Sequence, residues 1–153
     1  MQMRANKKVL NSLKVSFPSL SINESAARAV VAAFSAQADP TTTELADIKC
    51  AVSEAVTNSI VHGYPDTIGE IYISVQILEK RMIKIEIKDK GRGIADVEMA
   101  RAPLFTTSPE TERSGMGFTV MESFTDKMTV RSKPEKGTTV VLFKQLGERK
   151  KAE

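Results

Sequence analysis

Glu54, Asn58 and His62 recur at i, i+4 and i+8 in a stretch whose other members favour a helix. At 100° per residue their side chains form one polar stripe, while Val52 and Val56 point nearly the opposite way. Ala51, Ala55 and Ser59 lie beside the stripe, where a solvated face would carry Lys and Glu. Small neighbours suit the close approach of a ligand. A carboxylate at Glu54 can take a proton from an attacking hydroxyl. Asn58 offers a neutral oxygen to Mg²⁺, which prefers oxygen ligands shared with phosphates. His62, at the far end, suits either a turn-stabilising role or a phosphate contact.

Further polar clusters follow, each at the edge of an apolar segment. Asp89 ends an alternating run and precedes Gly91 and Gly93. A buried carboxylate there needs a partner, and the amino group of adenine is a suitable donor. The glycines let backbone approach the ring. Ser114-Gly115-Met116-Gly117 precedes a helical stretch, so its amide hydrogens and the positive dipole end can hold an anion. Arg113 adjoins it and can add a charge-assisted bond to phosphate. Gly137-Thr138 opens the last strand with a hydroxyl that can reach the same pocket. Gly91-Arg-Gly93 is not a dinucleotide fingerprint, because the third glycine and the following helix are missing. No Gly-x-x-x-x-Gly-Lys-Ser/Thr phosphate loop occurs either.

These residues need a scaffold, and the chain's composition bounds it. At 153 residues the chain is long enough for one domain with a real core. Cys50 is the only cysteine, so no intrachain disulfide can form, which fits a reducing cytoplasm. One Cys and one His cannot build an ordinary zinc site. No apolar run approaches a membrane span or a secretory leader, so no membrane is expected. The net charge of +3 comes largely from Arg4, Lys7 and Lys8 and from Arg149, Lys150 and Lys151, which read as solvated ends. Without Trp, and with only Tyr64 and Tyr72, the chain lacks a nucleic-acid face; no direct nucleic-acid ligand is expected.

Ser12 to Phe17 predicts a first strand, ended by Pro18. Asn23 predicts a helix N-cap, with Ala26, Ala27, Val30, Val31 and Phe34 at helical spacing behind it. Asp39-Pro40 breaks that helix, with Pro40 suited to the first position of the next. Thr41 and Glu44 predict a capping box, and the second helix should run to about His62 before Gly63 and Tyr64-Pro65-Asp66. Residues 71–77 and 83–87 alternate as two half-buried strands around a tight turn at Glu79 to Arg81. Asp89 to Gly117, with Pro103 and Pro109, is expected to be mostly irregular and to serve as a lid. Phe118 to Phe124 predicts a third helix; Met128 to Ser132 and Thr138 to Phe143 predict a closing hairpin. The expectation is an α+β two-layer sandwich, with helices on one face of a mixed, mainly antiparallel sheet. Residues 12–146 should form the single domain, 1–11 a flexible extension and 147–153 a charged tail.

With these clusters in this order, the chain resembles the GHKL ATP-binding superfamily of gyrase, Hsp90, histidine kinases and MutL, from about Ser21 to Phe143. Glu54-Ala-Val-Thr-Asn-Ser-Ile-Val-His-Gly-Tyr64, Pro103-Leu-Phe-Thr-Thr107 and Glu112-Arg-Ser-Gly-Met-Gly-Phe118 are similar to the anti-sigma-F branch of serine kinases. That resemblance implies a Bergerat-type fold, ATP or ADP with Mg²⁺, and a homodimer that clamps the sigma-F subunit of RNA polymerase. It also implies phosphorylation of a serine on an anti-anti-sigma protein. By motif, Glu54 would be the general base and Asn58 the Mg²⁺ ligand. Asp89, Gly91, Gly93 and Thr138 would hold adenine, with His62 and Thr107 also at the nucleotide. Arg113 and Ser114, Gly115, Met116 and Gly117 would cover the phosphates, with Arg113 counted as catalytic. Arg28 falls where the family presents a partner-binding surface. A stress-sigma kinase shares the ATP motifs, and a nucleotide-gated binding module without catalysis is the other alternative. A histidine-kinase fragment is disfavoured because no dimerisation hairpin with a phosphoacceptor His is present. Gyrase, MutL and Hsp90 relatives require further domains.

Overall fold

The computed structural model describes residues 7–102 and 117–148. Strand β1 spans Val9–Pro18, followed by helix α1 (Asn23–Ser35) and helix α2 (Thr42–Asn58). Strands β2 (Glu70–Leu78) and β3 (Met82–Asp89) form a hairpin, and a short helix α3 covers Val97–Arg101. Helix α4 (Gly117–Ser123) then leads into the hairpin of β4 (Lys127–Lys133) and β5 (Gly137–Gln145). The sheet order is β1-β2-β3-β5-β4, and every pairing is antiparallel, so the mainly antiparallel sheet expected is wholly so. β2–β3 and β4–β5 pair as hairpins, while β1–β2 and β3–β5 are antiparallel neighbours joined by longer, helix-bearing connections.

Alternation makes the two layers. Ile71, Ile73, Val75, Ile83, Ile85, Ile87, Val140 and Leu142 are buried beneath the helices. The intervening positions Lys14, Ser74, Glu86 and Thr129 stay exposed or half-buried on the bare face. Facing the sheet are Ala27 and Val31 of α1, Ile48, Ala51, Val52, Ala55 and Val56 of α2, and Phe118 and Met121 of α4. Burying each large aliphatic side chain contributes about 1.5–3 kcal/mol, so this contiguous apolar layer dominates the favourable side of folding. Val52 and Val56 are as buried as Ala51 and Ala55, because α2 packs against both α1 and α4 as well as the sheet.

The structure differs from expectation at several element ends. β1 starts at Val9, ahead of Ser12, because the full length of β2 offers partners: Val9 pairs with Leu78 and Asn11 with Ile77 across a bulge. Asn23 is not the cap of α1; Ile22 is, without a side-chain bond, and the Asn23 amide donates to the Pro18 carbonyl at 3.0 Å. Thr41 and Glu44 do form the capping box, with Pro40 outside the helix instead of at its first position. The β2–β3 turn places Lys80 and Arg81 at φ 61° and 60°, a left-handed conformation that side chains disfavour. The Arg81 guanidinium offsets this by donating to the carbonyls of Ala38, Asp39 and Gly147 at 2.8–3.1 Å.

The α-helical part of α2 ends at Asn58, short of the expected His62, and Ser59–Gly63 forms a π turn in which the Tyr64 amide donates to the Ser59 carbonyl at 3.0 Å. That wider turn sets Gly63 against the loop after β3. The Arg92 amide donates to the Gly63 carbonyl at 2.9 Å, and a Cβ on Gly91 would lie 2.1 Å from that same oxygen. Backbone therefore touches backbone here, and only glycine fits. Gly91→Ala is expected to cost about 2–3 kcal/mol, the scale of overpacking a filled site. Urea unfolding measures it, and an unchanged midpoint would show that the contact relaxes freely.

Candidate functional site

The wider turn at the end of α2, the loop after β3, α3, the start of α4 and the β4–β5 turn enclose a cavity of about 480 Å³. That size lies in the range of small-molecule sites. Its lining includes Ala55, Ile94, Met99, Ala100, Phe118 and Val140, an apolar slot fit for a flat ring. Asn58, Ser59, His62, Asp89 and Thr138 contribute the polar groups, and Gly93 and Gly117 stand in the wall.

Asp89 is the most constrained polar group on that wall, only 3% exposed at the end of β3. Its Oδ1 accepts the Gly91 amide at 3.0 Å and the Thr138 amide at 3.2 Å. Its Oδ2 accepts the Ser59 hydroxyl at 3.0 Å. Burial pushes the carboxyl above its ordinary value despite these donors, which pull the other way. The site thus holds an oriented acid whose charge is incompletely compensated, a natural acceptor for a ligand's N–H. Around it, a Cβ on Gly137 (φ 93°) would lie 2.1 Å from the Asp89 carbonyl, and one on Gly93 (φ 74°) 2.0 Å from the Lys133 carbonyl. Both glycines are required by left-handed backbone and by close packing.

Asn58 lies across from the start of α4: a Cβ on Gly117 would stand 3.1 Å from the Asn58 Oδ1. His62 is half-buried in the π turn. Thr138 also shares a 2.8 Å hydroxyl contact with Ser132, whose Oγ accepts the Ile94 amide at 2.7 Å. This links the last hairpin to the apolar wall. Among the described residues, Asn58, His62, Asp89, Gly93, Gly117 and Thr138 line one cavity. Glu54, half-buried one turn before Asn58, and Gly91 do not line the cavity. Arg28 stands apart on α1, its guanidinium bonded at 3.3 Å to both Glu24 and Ser53. Thr107, Arg113, Ser114, Gly115 and Met116 lie outside the described residues.

Several participants escaped the sequence reading. In the sequence Ser59 reads only as a small residue, and nothing local points from it to Asp89, 30 positions on. Helix α3, which supplies Met99 and Ala100, lay in the stretch expected to be mostly irregular. Its signal was present: Asp96 caps it by accepting the Met99 amide at 3.0 Å. No three His, Cys, Asp or Glu residues gather as a metal cluster among the described residues. No described helix is long and apolar enough to cross a membrane.

An antiparallel sheet under helices, with an apolar slot ending on a buried acid, is an arrangement suited to holding a nucleotide. Comparison with known proteins agrees: the histidine kinase-like ATPase domain family matches residues 17–144. The anti-sigma F factor of Bacillus subtilis (strain 168) is 55% identical over 141 residues, covering 92% of this chain and 96% of that protein. The anti-sigma F factor of Caldanaerobacter subterraneus subsp. tengcongensis is 57% identical over 137 residues, covering 90% and 95%. Among solved structures, the RsbU and RsbW domains of a Mycobacterium tuberculosis protein share the fold at TM-score 0.67 and 18% identity, covering 91% of this chain and 33% of that one. A histidine kinase domain from Erythrobacter litoralis does so at TM-score 0.56 and 16% identity, covering 80% and 61%. The chain belongs to the histidine kinase-like ATPase family and, within it, to the anti-sigma F factors.

Proposed function

We propose that this chain is an ATP-dependent serine-protein kinase and anti-sigma factor. It acts as a cytoplasmic homodimer in sporulation, binding the sigma-F subunit of RNA polymerase and phosphorylating a serine of the anti-anti-sigma antagonist. The observation that supports this most is the buried, amide-oriented Asp89 carboxylate beside the apolar wall of a cavity of about 480 Å³. Such a carboxylate accepts the adenine amino group while the slot excludes water from the ring.

In this reading the roles divide along α2 and its neighbours. Asn58 faces the start of α4, and its side-chain oxygen would hold Mg²⁺. A single neutral protein oxygen fits an ion that shares its shell with phosphates. The bound ion supplies charge neutralisation to the phosphate oxygens. Glu54, one turn away, takes the proton of the substrate serine hydroxyl. Gly91, Gly93 and Thr138 frame Asp89; His62, Thr107, Arg113, Ser114, Gly115, Met116 and Gly117 serve the phosphates. Arg28 belongs to the partner surface, where Glu24 and Ser53 hold its guanidinium at the α1–α2 junction. Transfer then depends on positioning and electrostatics more than on covalent chemistry.

The test uses purified chain, γ-labelled ATP, Mg²⁺ and the sigma and anti-anti-sigma proteins of the same organism. The expected results are label on an anti-anti-sigma serine and, by size measurement, a complex of two copies of this chain with one sigma that responds to ATP against ADP. Nucleotide-dependent sigma binding without label would leave a nucleotide-gated binding module. No adenine nucleotide binding at all would overturn the reading.

A further inference from the structure

Tyr64 is absent from the cavity wall, yet it is 9% exposed and its hydroxyl is bonded on both sides. It donates to the Glu70 carbonyl at 2.8 Å and accepts the Lys90 amide at 2.7 Å. Lys90 stands between Asp89 and Gly91, so Tyr64 grips the Asp89–Lys90 peptide, the one directly before the peptide that delivers the Gly91 amide to Asp89 Oδ1. The other end of Tyr64 reaches the same carboxylate. Its amide closes the π turn on the Ser59 carbonyl, and the Ser59 hydroxyl donates to Asp89 Oδ2. The ring packs directly over Gly69, where a Cβ would stand 2.2 Å from its Cε1, so only glycine admits it there.

We infer that Tyr64 is a positioning residue for Asp89 and, through it, sets the preference of the site for a purine bearing an exocyclic amino group. Both oxygens of the carboxylate are aimed by groups that Tyr64 ties down, one through its hydroxyl and one through its own backbone. Burial, with the nearby Asp89 charge adding to it, keeps the phenol above its ordinary value. The hydroxyl therefore stays protonated and can donate to Glu70 while accepting from Lys90. A phenylalanine would keep the packing over Gly69 but leave the Lys90 amide without this partner, freeing the Asp89–Gly91 turn to rotate. This inference rests on the adenine reading of the cavity.

The experiment compares, by calorimetry with Mg²⁺, the affinities for ATP and for purine riboside triphosphate, which lacks only the amino group. The wild type is expected to prefer ATP by roughly 30-fold, the scale of one hydrogen bond to a charged acceptor. Tyr64→Phe is expected to shrink that preference to roughly 3-fold or less, whereas a merely structural tyrosine would lower the melting temperature and leave the ratio alone. Equal affinities in the wild type would sink the adenine reading itself. A strong wild-type preference that Tyr64→Phe retains would overturn the role of Tyr64 alone. Should Tyr64→Phe fail to fold, Gly69→Ala, which displaces the ring with its hydroxyl intact, is expected to reduce the ratio likewise. If neither folds, or Gly69→Ala keeps the ratio, Tyr64 is a core residue and the inference is overturned.

Discussion

Glu54→Gln is expected to bind ATP within about twofold of the wild type while losing phosphoryl transfer by roughly 10²–10⁴-fold, the range for a general base. The substitution keeps volume, shape and one acceptor oxygen but cannot take a proton. Glu54 does not line the cavity, so affinity for the nucleotide should hardly register the change. It stands one helical turn before Asn58, which on the proposed roles is the phosphate side of the site. Single-turnover transfer of label to the anti-anti-sigma protein, beside calorimetry with ATP, separates the two effects. A variant that transfers at the normal rate would remove Glu54 from the chemistry. A variant that also loses ATP would make it a binding or folding residue.

The difference between what the sequence could and could not tell follows the reach of each interaction. Residues 71–77 and 83–87 declare their strands because burial on one face alternates within a few positions. The box of Thr41 and Glu44 is local in the same sense, and it forms as expected. Asn23 misleads because a cap-forming residue can equally donate its amide backwards, here to the Pro18 carbonyl. The π turn at Ser59–Gly63 has no local signature; it accompanies the fit of Gly63 against Gly91, residues that only the fold brings together.

The site divides along the same line. Asp89 is legible because a carboxylate ends an alternating apolar run, and Asn58 because an amide sits in a polar stripe flanked by small residues. Ser59 and Tyr64 are not, since a serine in a helix and a tyrosine in a turn are ordinary until Asp89 folds between them. Gly91 was legible as a glycine that mattered, but its contact is with the Gly63 backbone. A glycine's reason is invisible without its neighbour.

Asp89→Asn should weaken ATP binding by roughly 100-fold, with no loss of stability at neutral pH. The direction follows from the donors around it. The Gly91 and Thr138 amides both point at Oδ1, so the carbonyl oxygen of an asparagine must settle there. Its NH₂ then takes the Oδ2 position, where the Ser59 hydroxyl can turn to accept it. The fold stays satisfied, but a donor now faces the donating amino group of adenine. Acid gives the same contrast with opposite signs for folding and binding. Burial raises the Asp89 carboxyl above 3.8, so its folded form holds the proton more tightly than the unfolded chain does. Its contribution to stability is fully present below the ordinary value and is lost as pH rises through the raised one. ATP affinity moves the other way, falling as pH drops through that raised value, because the protonated acid loses its role as a free acceptor. Calorimetry and melting curves between pH 7 and the acid limit should show both trends in the wild type and neither of these Asp89 components in Asp89→Asn. An asparagine variant with wild-type ATP affinity would remove adenine from this carboxylate, whatever the stability trend.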